Sequence, residues 1–349
     1  MSEVKKIRVL IVEDSALMRQ LLTAIFQEDP AFEVVATAAD PLIARQKIKA
    51  LQPDVLTLDV EMPHMDGITF LEKLMRLHPM PVVMISSLTL RNADATLRAL
   101  ELGAVDFVAK PANDMRNHLN ELADEIRTKV RMAAAARVRI TPAEPATPTP
   151  AATTVSVRNA TSERIIAIGA SAGGTQAIMA ILQHLPADMP GIAIVQHMPP
   201  KFTALFAEHL NRSCALDVQE ATDGEILRPG MARVAPGGRQ MALTRVNGGY
   251  ALKVYDGPAV NLHRPSVDVL FHSVAKMSAS KSMGVLLTGM GSDGAQGLKA
   301  MHTAGAFTLA QDEASSVIFG MPDQAIRLGA AREVVALERI AARIQQWSA

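Results

Sequence analysis

Three residues far apart in the chain have the side chains that nucleophilic acyl transfer needs, and each follows an apolar run: Ser171, His197 and Asp293. Ser171 lies in Ile165-Ile166-Ala167-Ile168-Gly169-Ala170-Ser171-Ala172-Gly173-Gly174, which reads as a buried strand turning through a Gly-flanked serine into a helix. That helix is predicted by Ile178, Ile181, Leu182 and Leu185, spaced i, i+3, i+4 and i+7. A serine at a helix start meets free backbone N–H groups that can hold a developing oxyanion, and its small neighbours leave room for a substrate. Ile192-Ala193-Ile194-Val195-Gln196 reads as a second strand and delivers His197 at its end. Gly284-Val285-Leu286-Leu287-Thr288 reads as a third and leads through Gly289-Met290-Gly291-Ser292 to Asp293. In an open parallel sheet the C-terminal strand ends share one edge, so the three would meet there as nucleophile, general base and orienting carboxylate.

Each also has a simpler reading. Ser171 could cap a helix, or its Gly/Ser turn could cradle a phosphate without covalent chemistry. His197 could be a hydrogen-bonded histidine near the core, and Asp293 the N-cap of the helix that Ala295–Met301 predicts. The order Ser, His, Asp differs from the Ser, Asp/Glu, His order of the α/β-hydrolases, which argues against that family but not against the chemistry.

A second constellation sits near the N-terminus. Ile7–Val12 ends in Glu13-Asp14, Val55–Leu58 in Asp59, Val82–Ile85 in Ser86, and Val105–Ala109 in Lys110-Pro111. Clustered carboxylates repel one another unless a hard cation joins them, and Mg²⁺ takes a few carboxylates together with water and phosphate oxygens. The pattern is that of a site where Glu13, Asp14 and Asp59 hold Mg²⁺ while Asp59 attacks a phosphoryl group, Lys110 pairs the new phosphate and Ser86 hydrogen-bonds it. The simpler reading is solvated turn acids and a surface lysine.

The elements that must position these residues follow from the patterning. Helical periods fill the gaps between the N-terminal strands, as with Leu17, Leu21, Ala24 and Ile25, and βα alternation implies a parallel doubly wound sheet. Met115, Leu119, Leu122, Ile126 and Val130 share one helical face, which could be part of a domain interface and reads better as packing against that sheet. The tract 141–154 then lacks an apolar period, and its prolines forbid a helix, which makes it a semi-extended tether. The predicted organisation is an N-terminal domain over 1–132, a linker over 133–161 and a C-terminal domain over 162–349, both domains α/β with doubly wound parallel sheets. At 349 residues and 49% hydrophobic the chain can build two full cores. Its 35 basic and 35 acidic residues balance to zero, which gives no signature of nucleic-acid or anionic-membrane binding. One cysteine, Cys214, excludes an intrachain disulfide and reads as a small buried hydrophobe. No apolar run is long enough to span a bilayer and the N-terminus lacks a signal h-region, so a cytoplasmic location is expected.

With these residues in view, a resemblance becomes specific. Glu13-Asp14, Asp59-Val60-Glu61-Met62-Pro63-His64-Met65-Asp66-Gly67, Ser86 and Lys110-Pro111 resemble the receiver domain of bacterial response regulators. The C-terminal domain is similar to the catalytic domain of the chemotaxis protein-glutamate methylesterases. The match runs in order through Ile168–Gly174, Gln196-His197-Met198-Pro199, His263-Arg264-Pro265-Ser266-Val267-Asp268, Leu287–Ala295 and Gly320-Met321-Pro322. Ala172, where many members carry threonine, and Ser292, where asparagine is frequent, depart from the pattern outside the three candidate residues.

The resemblance implies a flavodoxin-like receiver and a Rossmann-like catalytic domain. It implies hydrolysis of glutamyl methyl esters on chemoreceptors with release of methanol, and deamidation of particular receptor glutamines. His197 would take the proton of Ser171, Asp293 would hold the imidazole, and backbone N–H groups near Ala172, Met290 and Gly291 would bind the oxyanion; Met290 is equally a packing residue. It also implies a chemotaxis histidine kinase as phosphodonor to Asp59, with Mg²⁺ serving the receiver and no cofactor serving the esterase. The reading from another class is a phospho-regulated receptor-binding adaptor without catalysis, against which the intact Ser171, His197 and Asp293 weigh.

Overall fold

The computed structural model describes residues 5–63, 65–87, 90–110, 119–137, 164–247 and 249–349. The chain divides into two compact units, Met1–Thr141 and Pro142–Ala349. Met115 of the predicted helical face and the tract 141–154 lie outside the described residues.

The first unit alternates strand and helix: β1 (Ile7–Val12), α1 (Ala16–Gln27), β2 (Phe32–Ala38), α2 (Pro41–Leu51), β3 (Val55–Asp59), α3 (Gly67–Leu77), β4 (Val82–Ser87), α4 (Leu90–Glu101), β5 (Asp106–Lys110) and α5 (Leu119–Ala134). Strands β1 and β3 are largely apolar, with Val9–Val12 and all of β3 buried, because helices cover both faces of a parallel sheet. Helix starts are set by short polar side chains: Ser15 accepts from Met18 N, Asp40 from Leu42 N and Ile43 N, and Asp66 from Thr69 N. The strand order is β2-β1-β3-β4-β5, all parallel. The chain therefore reverses direction across the sheet between β1 and β3, where crevices form at the C-terminal strand ends. Helix α5 lies against β3, β4, β5 and α1, with Ile126 and Val130 buried, so this part of the expected apolar face packs on the sheet. Lys110 is the last residue of β5, one position closer to the sheet than the sequence pattern placed it.

The second unit runs β6 (Ile165–Ala170), α6 (Gly174–Leu182), β7 (Gly191–Gln196), α7 (Phe202–Ser213), β8 (Asp217–Glu220), β9 (Met231–Val234), β10 (Gln240–Val246), β11 (Gly249–Tyr255), α8 (Val267–Ser278), β12 (Ser282–Leu286), α9 (Ala295–Thr303), β13 (Phe307–Gln311), α10 (Met321–Arg327), β14 (Glu333–Val335) and α11 (Leu337–Ser348). Seven strands form one sheet in the order β14-β13-β12-β6-β7-β9-β8, parallel throughout. The antiparallel hairpin β10–β11 is separate and is tied to α8 where Leu243 N donates to Ser273 Oγ at 2.8 Å. Strands proceed outward from β6 through β7 and then resume on the other side at β12, which puts the reversal between β6 and β12. Gly169 explains how closely α8 approaches: a Cβ there would lie 2.2 Å from Val267 Cγ1, so only glycine admits the helix start against the end of β6. The strand predicted over 284–288 stops at Leu286 as β12, leaving Leu287 and Thr288 in the loop, where Thr288 N donates to the side chain of Gln311 on β13 rather than to a backbone carbonyl. Among the described residues no helix is long and apolar enough to cross a membrane.

Candidate active site

Ser171 follows β6, His197 follows β7 and Asp293 lies in the loop after β12, on the three central strands of the sheet. Ala170 pairs with Gln196, so Ser171 and His197 are the next residues on adjacent strands, and His197 N donates to Ala170 O at 3.1 Å. Gln196 is buried, and its Nε2 donates to Ser171 O at 2.9 Å and to His197 O at 3.2 Å, a clamp between the two strand ends. Thr288 closes the other side. Its Oγ1 donates to Ala172 O at 3.0 Å and accepts from Ile318 N at 2.9 Å, while Ser171 N donates to Thr288 O at 3.0 Å.

His197 Nε2 is 2.8 Å from Asp293 Oδ2. A carboxylate partner assigns the ring proton to Nε2, which leaves Nδ1 as the acceptor. Nδ1 is buried and has no hydrogen-bond partner, and Ser171 Oγ likewise makes no hydrogen bond among the described residues. The two unpaired atoms are those that general-base catalysis would join, and such contacts are commonly loose before substrate arrives.

Asp293 is buried at the start of α8. Besides His197, its carboxylate accepts from Val267 N at 2.6 Å, Ser266 Oγ at 2.7 Å, Asn261 Nδ2 at 2.7 Å and Asp268 N at 3.3 Å. Burial pushes its pKa up, but donation from His197, Asn261 and Ser266 outweighs burial and holds it well below the usual carboxylate range. The helix dipole at the start of α8 acts in the same direction. The N-cap of α9 is Gly294, not Asp293, and the N-cap of α6 is Gly173, not Ser171, so neither side chain serves as a helix cap.

Ala172, Met290 and Gly291 lie outside the regular elements, and among the described residues no backbone hydrogen bond occupies their N–H groups. Met290 is 41% exposed and Gly291 has φ 82°, in the left-handed region. Sequence reasoning assigned no part to Gln196, Asn261, Ser266 or His263. The ring of His263 stacks on His197 with centroids 3.7 Å apart and planes 13° from parallel. Three of these four lay inside segments quoted for resemblance, which was the only signal they carried.

In the first unit, β1 ends before Glu13 and Asp14, and β3 ends on Asp59. Each of these acids has a carboxylate oxygen within 4.8 Å of one on the others. Lys110 Nζ reaches Glu13 Oε2 and Asp59 Oδ1, both at 2.9 Å. Burial first and the nearby Asp59 second push Glu13 up to about 7, against the pull of Lys110. Burial also raises Asp59, again against Lys110. Burial works against the Lys110 ammonium, but Asp59 and Glu13 outweigh it and hold its pKa above the ordinary value. One lysine thus leaves the carboxylates under-compensated, and their hard oxygen donors fit a divalent cation. Ser86 is buried near the end of β4, and Gly67 lies so close to the Asp59 backbone that a Cβ would stand 2.0 Å from Asp59 O.

Comparison with known proteins adds independent findings. Residues 166–344 match the family described as CheB methylesterase, and residues 9–122 match the response regulator receiver domain. A protein-glutamate methylesterase/protein-glutamine glutaminase of Xanthomonas campestris pv. campestris is 54% identical over 352 residues, covering 98% of each chain. One from Salmonella typhi is 56% identical over 336 residues, covering 96% of this chain and 95% of its own. Among solved structures, the Thermotoga maritima CheB methylesterase catalytic domain is similar with a TM-score of 0.52 and 36% identity, over 53% of this chain and 98% of that one.

Proposed function

The chain belongs to the CheB methylesterase family, and on that premise we propose that it is a phosphorylation-activated protein-glutamate methylesterase and protein-glutamine glutaminase acting on chemoreceptors through Ser171, His197 and Asp293. The observation that carries the assignment is the buried His197–Asp293 hydrogen bond at 2.8 Å, on a histidine whose other nitrogen is buried and unpaired and which follows the strand next to that of Ser171.

In this mechanism His197 Nδ1 takes the Ser171 proton as the serine oxygen attacks the γ-carbonyl carbon of a glutamyl methyl ester or glutamine. The oxyanion is received by the N–H groups of Ala172, Met290 and Gly291, each such donor contributing about 3 kcal/mol. Asp293 stabilises the imidazolium and keeps the proton on Nε2. The imidazolium then returns its proton to the leaving methoxide or amine as the acyl-enzyme forms, and water hydrolyses that ester in a second round with the same base. The products are glutamate and methanol, or glutamate and ammonia.

The receiver comprises residues 1–132 in this reading, the linker 133–161 and the catalytic domain 162–349; helix α5 extends to Ala134, two residues past the first boundary. A chemotaxis histidine kinase supplies the phosphoryl group to Asp59. Glu13, Asp14 and Asp59 would hold Mg²⁺, which supplies positive charge to the phosphoryl oxygens when bound. Lys110 pairs with the phosphate and Ser86 hydrogen-bonds it. The protein works in the cytoplasm, where the receptor helices carrying its substrate glutamates lie.

The test is methanol release from methylated receptor membranes. Wild type releases it faster with acetyl phosphate and Mg²⁺ present, Asp59→Asn loses only that stimulation, and Ser171→Ala loses the release itself. Ser171→Ala with wild-type turnover refutes the nucleophile assignment.

A further inference from the structure

Residues 260–263 form a turn that the scheme above leaves unexplained. Val260 N donates to His263 O at 3.1 Å and His263 N to Val260 O at 2.9 Å. Between them, Asn261 and Leu262 both adopt left-handed backbone, with φ 51° and 70°. This is the pattern of a two-residue type I′ turn, which glycine and asparagine favour and leucine resists. Leu262 is also 94% exposed, so its own packing does not compensate for the conformation. Strained backbone persists where its surroundings over-determine it, and it concentrates at functional sites. Here the constraint is visible. Asn261 Nδ2 donates to Asp293 Oδ1 and to Asp268 Oδ2, both at 2.7 Å, and His263 O accepts from Gln240 Nε2 at 3.1 Å.

The turn is therefore anchored to the same carboxylate that grips the base, and its last residue is placed against the base itself. His263 lies face to face with His197, ring centroids 3.7 Å apart and planes 13° from parallel. His197 needs such a partner. Asp293 holds it at Nε2, while Nδ1 is buried without a hydrogen bond. One hydrogen bond fixes where Nε2 sits but leaves the ring free to tilt about that point, and each tilt changes the direction in which Nδ1 points. A second ring flat against the first blocks the tilt on that side.

We propose that His263 is a positioning residue for the reaction, acting through His197: its stacked ring sets the plane of the general base and so the direction of Nδ1. The inference rests on the reading of Ser171, His197 and Asp293 as the hydrolytic group. It also specifies how the stack works. His197 becomes a cation as it takes the serine proton; the face of a neutral aromatic ring tolerates a cation, whereas a second positive charge at this separation opposes it. The contribution assigned to His263 is the flat aromatic contact, which a phenyl ring also supplies.

The experiment compares His263→Ala, His263→Leu and His263→Phe in the full chain. Two rates are read: kcat and KM for methanol release from methylated receptor membranes with phosphodonor present, and phosphonylation of Ser171 by a fluorophosphonate, which needs an activated serine but no receptor. Small displacements of reacting groups cost up to about a hundredfold in rate. His263→Ala and His263→Leu are expected to lower kcat and phosphonylation together by at least about tenfold with KM unchanged, and His263→Phe to stay within about threefold of wild type on both. Wild-type rates in His263→Ala overturn the proposal, as does leucine restoring activity as fully as phenylalanine, or a loss confined to KM. Should His263→Ala fail to fold by circular dichroism, the contrast between phenylalanine and leucine decides. Wild type that releases methanol without phosphonylation at Ser171 overturns the underlying triad reading and this proposal with it, whereas differences among variants of a labelled, active wild type bear on His263 alone.

Discussion

Replacing Asp293 by asparagine keeps the shape of the side chain and removes its charge, which isolates what the carboxylate contributes. Oδ2 accepts from His197 Nε2 at 2.8 Å and Val267 N at 2.6 Å, and Oδ1 accepts from Asn261 Nδ2 and Ser266 Oγ at 2.7 Å and from Asp268 N at 3.3 Å. Every neighbour donates, so the asparagine NH₂ must face a donor in either orientation. Placed at Oδ2, it opposes Val267 N–H and forces the His197 proton to Nδ1, which disables the base. Placed at Oδ1, it lets the Ser266 hydroxyl turn to accept, although Asn261 and Asp268 N–H remain opposed. The first orientation opposes one backbone donor but costs the base its tautomer, whereas the second opposes two donors and spares it, so the second sets the smaller loss of rate. His197 then keeps its tautomer and loses only its counter-charge when protonated.

A pair of unit charges about 4 Å apart at an effective dielectric constant of about 20 is worth about 4 kcal/mol. At about 1.4 kcal/mol per decade, kcat falls roughly a thousandfold. KM stays near wild type, because the imidazolium exists only along the reaction path. Methanol release from receptor membranes measures the first quantity, and Ser171 phosphonylation should slow in parallel. Opposed buried donors cost about 1–3 kcal/mol each, so the catalytic unit also melts at lower temperature, and rates are read well below that melt. There is a pH signature. A carboxyl held below its ordinary value binds fewer protons folded than unfolded, so its stabilisation is complete above pH 3.8 and is lost as pH falls from there toward the folded value. Below pH 3.8 the wild type should lose stability more steeply than Asp293→Asn. Turnover by Asp293→Asn within tenfold of wild type would refute the counter-charge argument.

Gly289→Ala tests how tightly the loop after β12 seats the nucleophile. A Cβ there would stand 2.3 Å from Met321 Sδ, which can move, and 2.6 Å from Ser171 Cβ, which the Gln196 and Thr288 contacts hold; kcat should fall by about a hundredfold while the circular dichroism spectrum is kept. Burial pushes the Cys214 thiol up to about 11, so iodoacetamide at pH 8, where about one thiol in a thousand is ionised, should alkylate it slowly in the folded chain and rapidly in urea; fast native labelling would contradict that environment. A fragment beginning near residue 155 retains β6 to α11 and should fold and release methanol, with a rate that acetyl phosphate leaves unchanged while that of the intact chain rises. A fragment that still responded to phosphodonor would place its effect outside the receiver.

The candidate catalytic residues stand out in the sequence because each ends or follows a contiguous apolar run, and a run buried on both faces is how a parallel central strand reads. The same rule points to Glu13, Asp14, Asp59, Ser86 and Lys110, whose strands pair as β1–β3, β3–β4 and β4–β5. What the rule supplies is an edge, and an edge says which residues converge but not which of them hold one another. Asp293 illustrates the difference. Two residues before a predicted helix, it has the local signature of a cap, yet Gly294 at φ 86° takes that place and the carboxylate turns to groups on another helix start. That encounter depends on α8 lying against β6, which depends in turn on the absence of a side chain at Gly169, opposite Val267. Contacts made at such range have no period or spacing to reveal them. Gln196 completes an apolar strand pattern while its amide ties Ser171 to His197, and His263 stands sixty-six residues from the ring it covers, 197 to 263. The same limit governs charge. A lysine after a strand can be read from sequence, but whether Lys110 gains or loses a proton more readily depends on burial opposed by two carboxylates at 2.9 Å, a balance only the folded geometry decides. Residue identity thus prescribes the reaction a strand end could perform, and the packing of distant elements decides the direction in which each reacting atom is held.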